Sequence, residues 1–284
     1  MSEWSLDWPA PAKINRFLHI TGQRPDGYHA LQTVFQFVEP VDWLSFAVTA
    51  DGGIERQGGL ADLAPGDDLV VRAAEALQRR SGVSFGALIH LDKRIPAGAG
   101  LGGGSSDAAT TLVALNRLWG CGFSTQALAE LGRSLGADVP VFIRGLAAWA
   151  EGIGEELTPM QPDCPWLVLL DPGVAVSTAA VFGDAKLTRH SPHTTIRAFS
   201  AGAVRNDCES VVRRLYPVVG EALDALSVHG PAMLTGTGGC MFAPFDSPQR
   251  ADEAAGLLSE RWRVWVCQAG NRSPLLDRAG AEGH

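Results

Sequence analysis

Polar and apolar residues alternate with a two-residue period over 12–20 (AKINRFLHI), which predicts a strand with Lys13 and Asn15 on one face and Ala12 and Ile14 on the other. A second strand is expected over 34–49 (VFQFVEPVDWLSFAVT), broken at Pro40, and a short third over 87–91 (ALIHL). Helical spacing marks 68–80 behind a capping Asp68, and Ala108, Leu112, Leu115 and Trp119 recur on one helical face until Gly120 stops them. A further helix is expected over 125–135, ended by Gly136, and AAWAEG at 147–152 reads as a returning strand. Pro159, Pro162 and Pro165 then interrupt the pattern, and WLVLLDPG at 166–173 starts afresh as a buried strand. A domain boundary is therefore expected near 157, giving 1–157 and 158–284. The second half adds helical stretches at 208–215, 219–226 and 247–260 around a glycine-rich turn at 236–239, with no internal repeat.

The segment between the third strand and the following helix changes this picture most. It reads PAGAGLGGGSSDAA over 96–109, with Gly98, Gly100, Gly102, Gly103 and Gly104 crowded behind Pro96 and followed by Ser105 and Ser106. Glycines at a helix start let the backbone approach a ligand, while unpaired N–H groups and the helix dipole favour an anion. Ser105, Ser106 and Asp107 are also ordinary helix caps, so a capped helix behind a flexible turn is the plainer reading. Glycine is costly in regular structure, by about 0.5–1 kcal/mol each relative to alanine, and that favours a phosphate cradle. No lysine follows the last glycine, which excludes a Walker A loop. Gly98, Gly100 and Gly103 satisfy GxGxxG, but the acidic residue that a dinucleotide ribose needs about 20 positions on is missing.

A chain of 284 residues, 46% hydrophobic, can bury the cores of two domains. Its net charge of −8 and pI near 5.3 argue against nucleic-acid or membrane surfaces as partners, so any anionic ligand must be held by local features. The five cysteines are far apart and never form CxxC, as expected of reduced, mostly buried thiols. His190 and His193 sit in a Ser, Pro and Thr-rich stretch without a third ligand, so no structural zinc is expected. MSEWSLDWPAPAK lacks the basic and apolar regions of a leader, and no apolar run approaches the ~20 residues of a membrane span; a cytoplasmic location is expected. The eight scattered tryptophans outline no oligomer interface.

Three further places could carry chemistry. Lys13 beside Asn15 aims an ammonium and an amide together, although a lone strand lysine often only discourages edge pairing. The turn Arg24, Pro25, Asp26, Gly27, Tyr28, His29 ends in an aromatic ring beside an imidazole, suited to stacking on a base and reading its edge, or to hairpin packing. Asp138 lies in GADVP between a helix-stopping glycine and Pro140, where it could cap the next turn or take a proton from a substrate hydroxyl.

PAKIN at 11–15, RPDGYH at 24–29, LGGGSSDAA at 101–109, LGADVPVF at 135–142, NDCE at 206–209 and LTGTGG at 234–239 together resemble the GHMP kinases, in this order and over nearly the whole chain. The resemblance is strongest to the branch that acts on a cytidine diphosphate sugar-alcohol. It implies an α+β fold of two domains: an N-terminal ATP-binding α/β domain and a C-terminal ferredoxin-like domain, with the active site in the cleft between them. It also implies ATP-dependent phosphorylation of an alcohol on the route to isoprenoids, with Lys13 and Asp138 as the catalytic pair and Mg2+ as the accompanying ion. Lys93, Pro96 and the glycine and serine loop would face ATP. Tyr28 and Phe182 would sandwich the cytosine, His29 would read its edge, and Asn15, Thr178, Gly236, Thr237 and Gly238 would hold the rest of the substrate. Two departures from the family pattern are Asp107, where asparagine is common, and Gly239, where alanine is common.

Overall fold

The computed structural model describes residues 3–60, 66–200, 202 and 204–281. Two long strands, β1 (Trp4–Gln23) and β2 (His29–Thr49), open the chain and pair antiparallel around the turn between them. The alternation over 12–20 thus belongs to a much longer strand. β2 does not break at Pro40, contrary to expectation. Its register against β1 passes from Pro11↔Val41 to Ala12↔Val38, so Glu39 and Pro40 bulge out of the ladder, where the missing N–H of proline costs no pairing.

β3 (Ile54–Gly58) precedes α1 (Leu69–Ser81), which Asp68 caps by accepting the Val70 amide. β4 (Gly86–Asp92) then runs through the glycine-rich loop into α2 (Gly103–Leu118), followed by α3 (Thr125–Arg133), α4 (Val139–Arg144), β5 (Ala148–Glu151) and β6 (Glu156–Pro159). One edge of β2 carries β1; the other is shared by β4 and β5, with β3 beyond β4 and β6 beyond β5. The helices pack on this six-stranded sheet through a core that includes Trp8, Phe46, Leu77, Ile89, Leu112, Leu115 and Phe142.

The rest of the chain forms β7 (Trp166–Asp171), α5 (Thr178–Gly183), α6 (Ile196–Ser200), α7 (Glu209–Leu215), α8 (Pro217–Ser227), β8 (Met233–Leu234), β9 (Met241–Phe245), α9 (Pro248–Leu258), β10 (Arg263–Gln268) and α10 (Pro274–Ala281). Its sheet has the order β10-β7-β9-β8 with every neighbour antiparallel, the fourth-first-third-second arrangement of a ferredoxin-like domain. The fold is α+β, in two lobes.

The lobes exchange chain. Leu18 and Ile20 of β1 lie in the core of the second lobe with Val168 and Leu170, while Leu275 of α10 lies in the core of the first. β6 itself straddles residue 157. A proline-rich break marks a connector in the sequence, but it carries no information about where distant segments pack. A third cluster, in which Ala12, Ile14 and Leu101 meet Leu167, Leu169 and Phe242, joins the two sheets directly behind the glycine loop. Among the described residues no helix is long and apolar enough to cross a membrane.

Candidate active site

The loop between β4 and α2 is built to present amides. The N-cap of α2 is Gly102, at φ 72°, and no side chain caps the helix. Ser105, Ser106 and Asp107, for which capping was the plainer alternative, lie inside the first turns, because the glycines have already completed the turn before them. Gly103, Gly104 and Ser105 therefore bring uncapped backbone N–H groups to the lining of a cleft of about 550 Å³, which Pro96, Gly98, Gly100 and Gly102 also border. The second lobe fixes the loop from behind: the Val176 amide donates to Gly98 O at 3.2 Å and the Cys240 amide to Ala99 O at 2.8 Å. Gly239, at φ 100°, makes that contact possible, since a Cβ there would stand 2.7 Å from Ala99 Cα. This gives a physical reason for glycine at 239.

Lys13 and Asp138 meet in this cleft. β1 aims Lys13 under the loop, where its Nζ donates to Asn15 Oδ1 at 2.6 Å and Gly100 O at 3.1 Å and lies 3.3 Å from Asp138 Oδ2. The lysine is 3% exposed, whereas the Asp138 side chain keeps 30% of its surface open to the cleft. Asp138 occupies the N-cap position of α4, yet its side chain makes no capping bond. The structure thus separates the two readings of that residue: the carboxylate turns to the lysine, not to the helix. Asn15 is held by its Nδ2 donating to Thr33 Oγ1 at 2.9 Å, and its backbone N–H donates to Thr235 Oγ1 at 2.9 Å.

Lys93 stands on the other side of the loop and is more tightly bound. Its Nζ lies 2.5 Å from Asp42 Oδ2 and 2.7 Å from Asp107 Oδ2, beneath the first turn of α2. Asp42 is fully buried, and its other oxygen accepts the Arg94 and Ile95 amides. Burial pushes the Asp107 carboxyl up, to about 8, against the opposing pull of Lys93. Burial disfavours the Lys93 charge too, but the two carboxylates outweigh it and hold its pKa above the ordinary value. Asp107 Oδ1 has no hydrogen-bond partner, and neither has Ser106 Oγ, which is buried behind the loop.

The far end of the cleft is aromatic. Thr178 and Phe182 on α5 line it with Gly236 and Thr237, and the hydroxyls of Thr178 and Thr237 lie 2.9 Å apart across the gap. Asn206 shapes that turn by donating to Leu234 O at 2.9 Å and Gly236 O at 2.8 Å. Gly238 does not line the cleft, and a Cβ there would meet Val212. His29, not Tyr28, faces Phe182: the two rings stack at 5.0 Å with 18° between their planes, while Tyr28 is 61% exposed at the tip of the hairpin. Tyr28 and His29 therefore sit beyond the cleft lining, and His29 is joined to it through Phe182. Three residues that shape the site were not singled out in the sequence: Asp42, Thr235 and Arg189. The last lies in the loop after α5 and donates to His29 Nε2.

Among the described residues no cluster of three His, Cys, Asp or Glu side chains could hold a metal, and Cys208, Cys240 and Cys267 are buried free thiols, with Cys121 half-buried and Cys164 exposed. Burial raises the thiol of Cys208 to about 12 and that of Cys267 to about 11, out of the reactive range.

Residues 68–146 match the family model of the GHMP kinases N terminal domain, and 187–264 that of the GHMP kinases C terminal. The chain is 55% identical to a 4-diphosphocytidyl-2-C-methyl-D-erythritol kinase of Alkalilimnicola ehrlichii, covering 98% of this chain and 96% of that one. It is 54% identical to the enzyme of the same name from Chromohalobacter salexigens, over 97% and 94% of the two chains. A crystal structure of 4-(cytidine 5'-diphospho)-2C-methyl-D-erythritol kinase superposes with a TM-score of 0.80 at 33% identity, covering 94% of this chain and 99% of that one. A mevalonate kinase shares the fold at 15% identity, with a TM-score of 0.71 over 94% and 100% of the chains. The chain belongs to the GHMP kinases and, among them, to the 4-diphosphocytidyl-2-C-methyl-D-erythritol kinases.

Proposed function

We propose that this chain transfers the γ-phosphoryl group of ATP to the 2-hydroxyl of 4-diphosphocytidyl-2-C-methyl-D-erythritol, in the non-mevalonate route to isoprenoids. The observation that carries the reading is the Lys13–Asp138 pair, 3.3 Å apart, facing a helix start with no side-chain cap. The triphosphate lies along the glycine loop, where the amides of Gly103, Gly104 and Ser105 meet its charge. Asp138 receives the proton of the substrate hydroxyl as that oxygen bonds to the γ-phosphorus and the bond to the β-phosphate oxygen breaks, releasing ADP. Lys13 holds Asp138 in place and neutralises charge on the moving phosphoryl group. A tertiary hydroxyl is a weak acid, so alignment and charge stabilisation supply most of the acceleration and the proton leaves late.

Mg2+ fits this site. It prefers oxygen ligands, Asp107 Oδ1 is buried without a partner, and Ser105 borders the same cleft. Asp107 would hold the ion through that free oxygen, and the ion, when bound, would neutralise phosphate oxygens. Thr178, Thr237 and the turn at Gly236 hold the substrate diphosphate, and the cytosine enters between Tyr28 and Phe182 with its edge toward His29.

Purified protein supplied with ATP, Mg2+ and the cytidylyl substrate should release ADP steadily, and release none when that substrate is omitted. Turnover only with a different small alcohol would point to another GHMP specificity; nucleotide binding without turnover would make the chain a binding protein.

A further inference from the structure

Arg189 makes four hydrogen bonds, none of them to a carboxylate. Its Nε donates to His29 Nε2 at 3.1 Å, its Nη1 to Leu187 O at 3.2 Å, and its Nη2 to Phe182 O and Asp184 O, each at 2.8 Å. The last three tie the guanidinium to the loop that leaves α5, so its direction is fixed by that loop and not by the histidine. A guanidinium has only donors. His29 Nε2 must therefore present its lone pair, and a neutral imidazole accepting there carries its proton on Nδ1. Burial and the adjacent Arg189 charge both lower the His29 pKa, which keeps the ring neutral.

Building on the substrate proposed above, we infer that Arg189 is a positioning residue for base selection: it locks His29 as the Nδ1–H tautomer, so that the ring offers the incoming base a donor and no acceptor. Cytosine presents an acceptor at N3, whereas uracil presents an N–H donor there. A donor-only histidine meets the first with a hydrogen bond and the second with two opposed protons. Sites that read a polar edge in this way reject the wrong partner strongly, because a buried donor is left unpaired. Without Arg189 the imidazole can shift its proton to Nε2, offer a lone pair at Nδ1, and accept the uracil N–H.

Two measurements test this. Long-range proton–nitrogen correlation spectra of the unliganded protein, with its histidines labelled by nitrogen-15, should show His29 with a protonated Nδ1 and a bare Nε2. The opposite tautomer overturns the inference, and because no substrate is present this result stands apart from whether the proposed reaction is correct. Second, the ratio of kcat/KM for the cytidylyl substrate to that for its uridylyl counterpart should fall at least ~10-fold in Arg189→Met, through KM more than kcat. In Arg189→Gln, whose amide still donates without the charge, the ratio should stay within about threefold of the parent. An unchanged ratio in Arg189→Met, or an equal loss in Arg189→Gln, refutes the tautomer lock; the second outcome would assign the effect to charge.

Discussion

Two buried lysines flank the same glycine loop, and they differ in what surrounds them. Lys13 has one carboxylate, Asp138, which is part-exposed and open to the cleft; the remaining partners of Lys13 are an amide oxygen and a backbone carbonyl. Lys93 has two carboxylates, Asp42 and Asp107, both buried. One carboxylate beside one ammonium leaves a pair that a substrate can enter, with the anion free to accept a proton. Two carboxylates around one ammonium leave a cluster that is already satisfied on the lysine side and cross-links β2, the end of β4 and the first turn of α2. The same residue type in the same loop therefore serves the reaction in one place and the shape of the cradle in the other.

The largest expected effect falls on the second lysine. Lys93→Met removes the cation from between two buried carboxylates, and an ion pair broken on one side in a buried setting costs about 3–5 kcal/mol. Chemical denaturation should show that loss as a lower midpoint with an unchanged slope. Lys13→Met should lose less than half as much stability, because Asp138 can turn to solvent. Equal losses would erase the distinction between the two lysines.

Next in size is the effect on turnover. Asp138→Asn should keep the fold and the KM for ATP while lowering kcat at least ~100-fold, as for the loss of a positioned proton acceptor. Its melting temperature should fall only slightly, since the side chain caps nothing and Lys13 keeps its bonds to Asn15 and Gly100. Near-normal turnover would remove Asp138 from the chemistry and leave the Lys13 pair as structure, like its counterpart across the loop.

The sequence made these two sites unequally visible. Lys13 and Asn15 were legible because a strand places residues two apart on one face, and their side chains do touch. The cradle was legible from glycine density alone. Asp138 was legible only as cap or base, since the choice depends on whether its carboxylate reaches a helix amide or a lysine from another strand. Asp42 was invisible as the partner of Lys93, because it lies 51 residues away in sequence and no local pattern marks it. The lengths of β1 and β2 were hidden by Pro9, Pro11 and Pro40. β1 tolerates its prolines because, among the described residues, it pairs with β2 alone, and the third sits in a bulge. α4 was foreshadowed only as the turn that Asp138 could cap; Pro140 falls in its first turn, where a missing N–H is no loss.

Asp107 offers a finer test. Its folded pKa, raised to about 8, exceeds the unfolded value near 4, so the folded state binds the extra proton between those limits. Stability from this group is therefore full at low pH and declines as pH rises from about 4 to about 8, then levels. Asp107→Asn keeps an oxygen for Lys93 and removes the titration. The difference in unfolding free energy between variant and parent should grow in the variant's favour across that window by at least about 1 kcal/mol, since each unit of pKa shift is worth about 1.4 kcal/mol. A flat difference would mean that the cluster holds Asp107 as an ordinary carboxylate.

The smallest effect concerns a third buried polar residue on β1, His19, which has neither kind of partner. Both ring nitrogens are buried and unbonded, and the ring packs edge-on against Phe17 at 5.0 Å. Burial lowers its pKa, an effect that Asp207 opposes and Arg205 reinforces. Here the sign reverses relative to Asp107. The unfolded chain takes up a proton near pH 6.5 that the folded chain refuses, so stability is full above that value and falls as the solution is acidified below it. His19→Leu removes both orphaned nitrogens and the titration, so the variant should be at least as stable as the parent at pH 7.5 and gain on it by several tenths of a kcal/mol by pH 5.5. Thermal melts at the two pH values read this directly, and kcat should not move. A parent that gains stability on acidification relative to His19→Leu would show that the ring accepts its proton inside the fold, with Asp207 acting for His19 as the carboxylates do for the two lysines.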